Sequence, residues 1–233
     1  VKKVDKTGYF EHLDGKFDEF MSDYDVNRRK NLIFSQLLPN FYWKNTKVLE
    51  VGCGTGRFSE EIMGYGGQLT VLDIGPKLVE KVVGRLGCEG KVGDACNLPF
   101  PDDSFDIVVS SECIEHTLDP EKAITEMCRV CRTGGTICLT TPNKLWYPVL
   151  WLSVKLKLRQ FDGIENWISP GRAKAVLQRQ GLKATAISGC HLWPFQLKFT
   201  RSLLQKTDAL GKWLYPLMIN FGIAAQKPTK TQR

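Results

Sequence analysis

The segment Val48-Leu-Glu-Val-Gly-Cys-Gly-Thr-Gly-Arg57 constrains this chain more than any other stretch. An apolar run from Lys47 to Val51 ends in glycines at positions 52, 54 and 56, and a helical pattern takes over near Phe58. Strand, glycine loop and helix in that order form the opening unit of an open parallel sheet. Such a loop lets a ligand lie against bare backbone at the carboxyl end of a strand, where these sheets bind ligands.

The spacing departs from the dinucleotide fingerprint, whose third small residue falls at position 57, occupied here by Arg57. Downstream acids narrow the choice. Leu69-Thr-Val-Leu-Asp73 reads as a second strand ending in an acid, where nucleotide-type sites accept ribose hydroxyls. Asp94 follows a short apolar run at Lys91-Val92-Gly93, and Leu98-Pro-Phe-Pro-Asp-Asp-Ser-Phe-Asp106 is a turn feeding a buried strand that ends at Ser111.

The rest of the pattern alternates strands with helices. Strands are predicted at 47–51, 69–72, near 89–92, at 105–110, at Thr136–Thr141, and near 184–188 and 219–225. Helices are predicted from Phe58, from Pro76 to Arg85, from Pro120 to Val130, and from Pro170 to Gln180 before Gly181. This is an α/β chain with a doubly wound, mostly parallel sheet. Its 233 residues suit one domain over 1–226, followed by a basic tail at 227–233. Residues 1–45, with a helix from Val26 to Leu38 closed by Pro39, form an N-terminal cap. Two aromatic insertions, 143–168 and 191–217, exceed what the sheet needs, and we read them as a substrate lid. Phe199, Leu203, Leu210 and Leu214 are expected to make the apolar stripe of the second. The run Val154–Arg159 of the first alternates with period two and makes no clean interfacial helix.

A net charge of +7 permits attraction to anionic membranes or nucleic acid without establishing either. Peripheral membrane contact through the basic, aromatic lid is an expectation; a nucleic-acid partner is not, since no RNA-binding module or Asn-Pro-Pro-Tyr motif is present. The eight cysteines are read as reduced. Cys53, Cys113 and Cys138 are expected in strand or helix interiors, and the Cys128–Cys131 pair late in a helix, as packing residues. With no signal-peptide pattern and no run of about 18 apolar residues, a reducing cytoplasm is the expected compartment.

In order and spacing, Glu50-Val-Gly-Cys-Gly-Thr-Gly56, Asp73, Gly93-Asp-Ala95, Leu98-Pro-Phe100 with Phe105-Asp106, and Arg129-Val130 before Thr133-Gly-Gly135 resemble the class I S-adenosylmethionine-dependent methyltransferases. The resemblance runs from about residue 46 to 142. It implies a Rossmann-like seven-stranded sheet with an antiparallel edge hairpin and helices on both faces. It also implies S-adenosylmethionine as cosubstrate, with Glu50, Gly52, Cys53, Gly54 and Gly56 around the methionine portion. Asp73 and Ile74 would lie at the ribose, Asp94 and Ala95 at the adenine, and Ser111 at the end of the fourth strand. The donor carries no phosphate, which agrees with a loop that lacks a phosphate-binding lysine.

Ser110-Ser-Glu112-Cys-Ile-Glu115-His116 follows that strand directly. Transfer to a hydroxyl requires alignment and removal of a proton. His116 has the right range for the base, with Glu115 or Glu112 to orient it, while His12 and His191 receive no role. The Glu112, Glu115 and His116 set is also similar to the motif of the ubiquinone-pathway O-methyltransferases, where it has been assigned to a divalent metal. Two carboxylates and an imidazole are too generic to choose a metal, and none is assigned. The expected activity is methyl transfer to a small, lipophilic or natural-product-like acceptor, at oxygen. A nucleic-acid or protein methylase and a non-catalytic relative that binds the donor are the alternatives. Acceptor identity and oligomeric state stay open.

Overall fold

Val48 and Leu49 point to opposite faces of one strand and both are fully buried, so this strand is covered on both sides. The structure, a computed structural model, describes residues 22–155, 165–194 and 201–229. In chain order the elements are α1 (Asp23–Lys30), β1 (Lys47–Val51), α2 (Arg57–Gly64), β2 (Gln68–Asp73), α3 (Pro76–Leu86), β3 (Glu89–Val92), β4 (Phe105–Ser111) and α4 (Pro120–Val130). Then come β5 (Cys131–Pro142), α5 (Tyr147–Lys155), α6 (Pro170–Arg179), β6 (Lys183–Cys190), α7 (Arg201–Asp208), α8 (Gly211–Leu214) and β7 (Asn220–Gln226).

The sheet order is β3-β2-β1-β4-β5-β7-β6. β7 runs antiparallel to β5 and β6, and the other pairings are parallel. Strand order reverses between β1 and β4, which puts the ligand crevice of such a sheet beyond their carboxyl ends. One apolar core joins Leu49, Val51 and Val108 to Ile124 and Met127 of α4 and Val176 and Leu177 of α6. The other joins Val48, Ile107 and Val109 to Phe58, Ile62, Val79 and Val82 of α2 and α3. The N-terminal segment enters this second core through Leu32, Ile33 and Phe34, on a π-helical continuation of α1 (Asn31–Leu37).

Local chemistry explains the boundaries. The Asp119 side chain accepts from the N–H groups of Glu121 and Lys122 and starts α4, and Ser169 does the same for α6 through Arg172 N–H. Arg129 donates to the carbonyls of Leu98 and Phe100 and to Glu126 and Asp102, locking the turn before β4.

Several sequence expectations change. Cys53 and Cys113 lie in loops rather than element interiors, and Cys131 begins β5 instead of ending α4. All eight cysteines are free thiols. The stripe expected at Leu203 and Leu210 is wrong: both are exposed, and Leu204 is the apolar residue that α7 buries, beside Asp208. Lys227 does not belong to a frayed tail, because its Nζ donates to Asp103 Oδ1 and to the carbonyls of Cys128 and Cys131. His12, Phe199, most of Val154–Arg159 and residues 1–21 of the 1–45 cap lie outside the described residues. No helix among those described is long and apolar enough to cross a membrane.

Candidate functional site

The glycine loop after β1 is fixed from both sides. Gly52, Gly54 and Gly56 have φ of +80°, +50° and +84°, in the left-handed region that side chains disfavour. A Cβ on Gly52 would sit 2.4 Å from Cys113 Sγ, and one on Gly56 would sit 2.6 Å from Arg85 Nη2 and 2.9 Å from Val82 Cγ2. At these two positions the missing side chain admits neighbouring protein, so close packing is part of what the glycines provide.

Asp73, at the end of β2, clips the loop to the next turn: Oδ2 accepts from Gly54 N–H at 2.9 Å and Oδ1 from Gly75 N–H at 3.0 Å. It is buried, and burial raises its carboxyl above the usual range against the pull of those bonds. Glu50 is buried beneath the loop, bonded to the Ser59 hydroxyl. Burial pushes its carboxyl up to about 8, and the nearby charge of Asp73 adds to the rise. Asp94 caps its own turn, accepting from Cys96 N–H at 2.9 Å, beside buried Ala95. Ile74 follows Asp73 directly, and the Ser111 hydroxyl shares a bond with Thr140 Oγ1 at 3.1 Å. Cys53 is buried in the loop, with its thiol pushed up by burial.

The two guanidinium groups beside the loop are already engaged. Arg57 pairs with Asp23 of α1, and Arg85 donates to Thr55 O at 2.6 Å and pairs with Glu60 at 3.2 Å. Acids at the ends of β1 and β2, with the nearby cations committed elsewhere, fit a donor that bears an ammonium, a sulfonium and a ribose diol and no phosphate.

The loop after β4 joins this cradle through Cys113, packed on Gly52. Glu112 takes a φ of +50° and accepts from Asn220 Nδ2 at 2.6 Å, while its other oxygen, buried, has no hydrogen-bond partner. Glu115 is buried and accepts from Thr141 Oγ1 at 3.0 Å. Burial is the main cause that raises both carboxyls to about 7. His116 Nε2 lies 3.9 Å from Glu115 Oε1, beyond hydrogen-bond distance, and its side chain is 25% exposed. Glu112 turns away from that pair towards Asn220 and Arg29, so the orienting partner nearer His116 is Glu115.

Sequence reasoning missed the layer above Glu112. Arg29 of α1 lies 3.9 Å from Glu112 Oε2 and is held by Asp25 one turn earlier. Asp25 Oδ1 lies 3.6 Å from His191 Nδ1, and Asn220 Oδ1 lies 3.5 Å from the same nitrogen. His191 N–H donates to Asp208, which also receives Arg28 Nε at 2.7 Å. Burial and the nearby Arg29 charge lower His191 to about 3, so it is a neutral, buried part of this network. The Asp25–Arg29 spacing, one helical turn apart, was the only signal in the sequence.

Residues 49–139 match the methyltransferase domain family. The ubiquinone biosynthesis O-methyltransferase of Xanthomonas oryzae pv. oryzae is 36% identical over 163 residues, covering 64% of this chain and 68% of that protein. The chain belongs to the class I S-adenosylmethionine-dependent methyltransferases. The cosubstrate of that family is S-adenosylmethionine. The methyltransferase is also similar to ajmaline N-methyltransferase of Rauvolfia serpentina, 39% identical over 46% of this chain and 40% of that protein. A 2-methyl-6-phytyl-1,4-hydroquinone methyltransferase of Oryza sativa is 38% identical over 48% of this chain and 34% of that one. The match therefore spans less than half the length of either plant protein. In fold, the methyltransferase is similar to a chain of the Haloferax volcanii complex between the Trm112 activator and a methyltransferase, with TM-score 0.68, 15% identity and coverage of 98% and 100%.

Proposed function

We propose that this methyltransferase moves a methyl group to an oxygen of a small, lipophilic acceptor, with His116 as the base that takes the hydroxyl proton. The observation that carries the reading is the contact of Cys113 with Gly52. It holds the Glu112–His116 turn against the loop that cradles the donor. Glu50 and the Gly52–Gly56 loop, with Cys53, hold the methionine portion. Asp73 and Ile74 hold the ribose, Asp94 and Ala95 the adenine, and Ser111 borders the donor from β4. The acceptor oxygen attacks the methyl carbon as His116 removes its proton, and the electrons of the carbon–sulfur bond return to sulfur. Glu115 is the positioning residue for His116. No metal is assigned to Glu112, Glu115 and His116, whose two carboxylates are directed to different partners.

Support for a small acceptor comes from the relatives, whose names specify ubiquinone biosynthesis, a phytyl hydroquinone and ajmaline. The last is an N-methyltransferase, so attack by nitrogen is the second reading. The test is transfer of a labelled methyl group to paired phenol and amine acceptors by wild type and His116→Ala. Phenol turnover should fall by roughly 10²–10⁴ in the variant, with S-adenosylmethionine affinity measured by calorimetry unchanged. Wild-type phenol rates in the variant would remove His116 as base, and turnover of the amines alone would favour nitrogen.

A further inference from the structure

Helix α5 is apolar nearly all round, reading Tyr147-Pro-Val-Leu-Trp-Leu-Ser-Val-Lys155. A helix of that composition belongs in a core, yet none of its described side chains is buried. Tyr147, Val149, Trp151 and Leu152 are 42–50% exposed, and Leu145 just before them is 56% exposed. A second segment meets this one, with Trp146 Nε1 donating to Leu217 O at 2.9 Å. It presents Leu210, Leu217 and Trp213, the last 82% exposed. Clustered apolar exposure of this kind marks an interaction surface.

Charge decides among occupants. Residues 143–155 and 209–219 contain Lys144, Lys155 and Lys212 and no acid. Lys155 Nζ stands over the Trp151 ring, 3.9 Å from its centroid. A second copy seated here would set lysine against lysine. An anionic lipid surface complements all three, at roughly 1 kcal/mol each, or about fivefold in partition, and tryptophan and tyrosine favour the headgroup boundary of a bilayer. Between the two segments lies an open groove of about 440 Å³ lined by Lys144, Leu145, Lys174, Ile187, Tyr215 and Pro216 among others.

We infer that the face formed by Leu145–Lys155 and Leu210–Leu217 docks on an anionic phospholipid surface, with the groove opening at the lipid boundary. Docking does not depend on which atom is methylated or on which acceptor is used. It gives a lipid-dissolved acceptor a short path to the carboxyl edge of β5.

The test is sedimentation with large vesicles of phosphatidylcholine alone and of phosphatidylcholine mixed with phosphatidylglycerol, with no acceptor present. Wild type should partition to the mixed vesicles at least about tenfold better than to the neutral ones. Trp151→Ala with Trp213→Ala, and separately Lys155→Glu with Lys212→Glu, should each lower that partition about tenfold or more. S-adenosylmethionine affinity should stay at the wild-type value, which verifies folding. Wild type left in the supernatant with both vesicles, or variants that sediment like wild type, would overturn the inference. A concentration-dependent dimer abolished by the tryptophan substitutions would instead assign the face to a second copy. Methyl-transfer assays read none of these outcomes, so failure here and failure of the proposed reaction are distinguishable.

Discussion

The donor cradle and the α5 face both stand at the carboxyl edge of the same sheet, and they are built in opposite ways. In the cradle each polar group is tied to backbone or to a second side chain: Asp73 to Gly54 and Gly75, Glu50 to Ser59, Arg85 to Thr55. On the α5 face, large apolar side chains stand open, and the fixed points are a few backbone contacts such as Trp146 to Leu217. Rigidity is placed where one donor must be held in one pose. Open apolar surface is placed where we propose that lipid is met.

That contrast predicts unequal responses to substitution. The largest belongs to Gly52→Ala, which forces a side chain into a left-handed backbone and onto Cys113. It should cost about 2–4 kcal/mol of stability and weaken S-adenosylmethionine binding in parallel, read by denaturant melts and calorimetry. A wild-type melt would mean that the loop is as compliant as the α5 face and would erase the contrast.

A smaller effect comes from pH. Glu50 is raised to about 8, and Glu112 and Glu115 to about 7, so the folded protein keeps protons that the unfolded chain releases above about 4.5. The stability these groups contribute is full below that value and is lost as pH rises through 7 to 8. The ligand-free melting temperature should therefore fall between pH 5 and 8, as roughly expected for such carboxyls. Glu112→Gln should remove about 1–3 kcal/mol of that dependence. A melting temperature that stays flat over this window would place the carboxyls in solvent. The smallest effect belongs to Leu152→Ser on the exposed helix, which should leave stability within about 0.5 kcal/mol. A loss of several kcal/mol would show that α5 is core.

Legibility in the sequence follows the same division. The strands, α3, α4 and α6 were readable because buried parallel strands make short apolar runs and these helices carry Pro at the start, with Gly after the end of α3 and α6. The acids Glu50, Asp73 and Asp94 were readable because each closes or follows a strand. What Gly52 and Gly56 do was only half readable, since the neighbours that require them, Cys113 and Val82, are distant in sequence. The Asp25, Arg29, His191 and Asn220 network was unreadable for the same reason, as residues 220 and 112 meet only through strand order. Leu203 and Leu210 fit a helical stripe, but the break between α7 and α8 resets the phase and leaves Leu204 as the buried leucine of α7.

The partly buried pairing of Arg28 with Asp208, and of Arg29 with Asp25, makes ionic strength a selective handle on this molecule. Salt at about 0.1 M screens exposed charges beyond about 10 Å, while pairs removed from water feel it far less. Adding salt would therefore loosen whatever the surface lysines hold and leave the N-terminal helix fastened over the site. Attraction at the surface lysines and the anchoring of α1 then respond to salt separately.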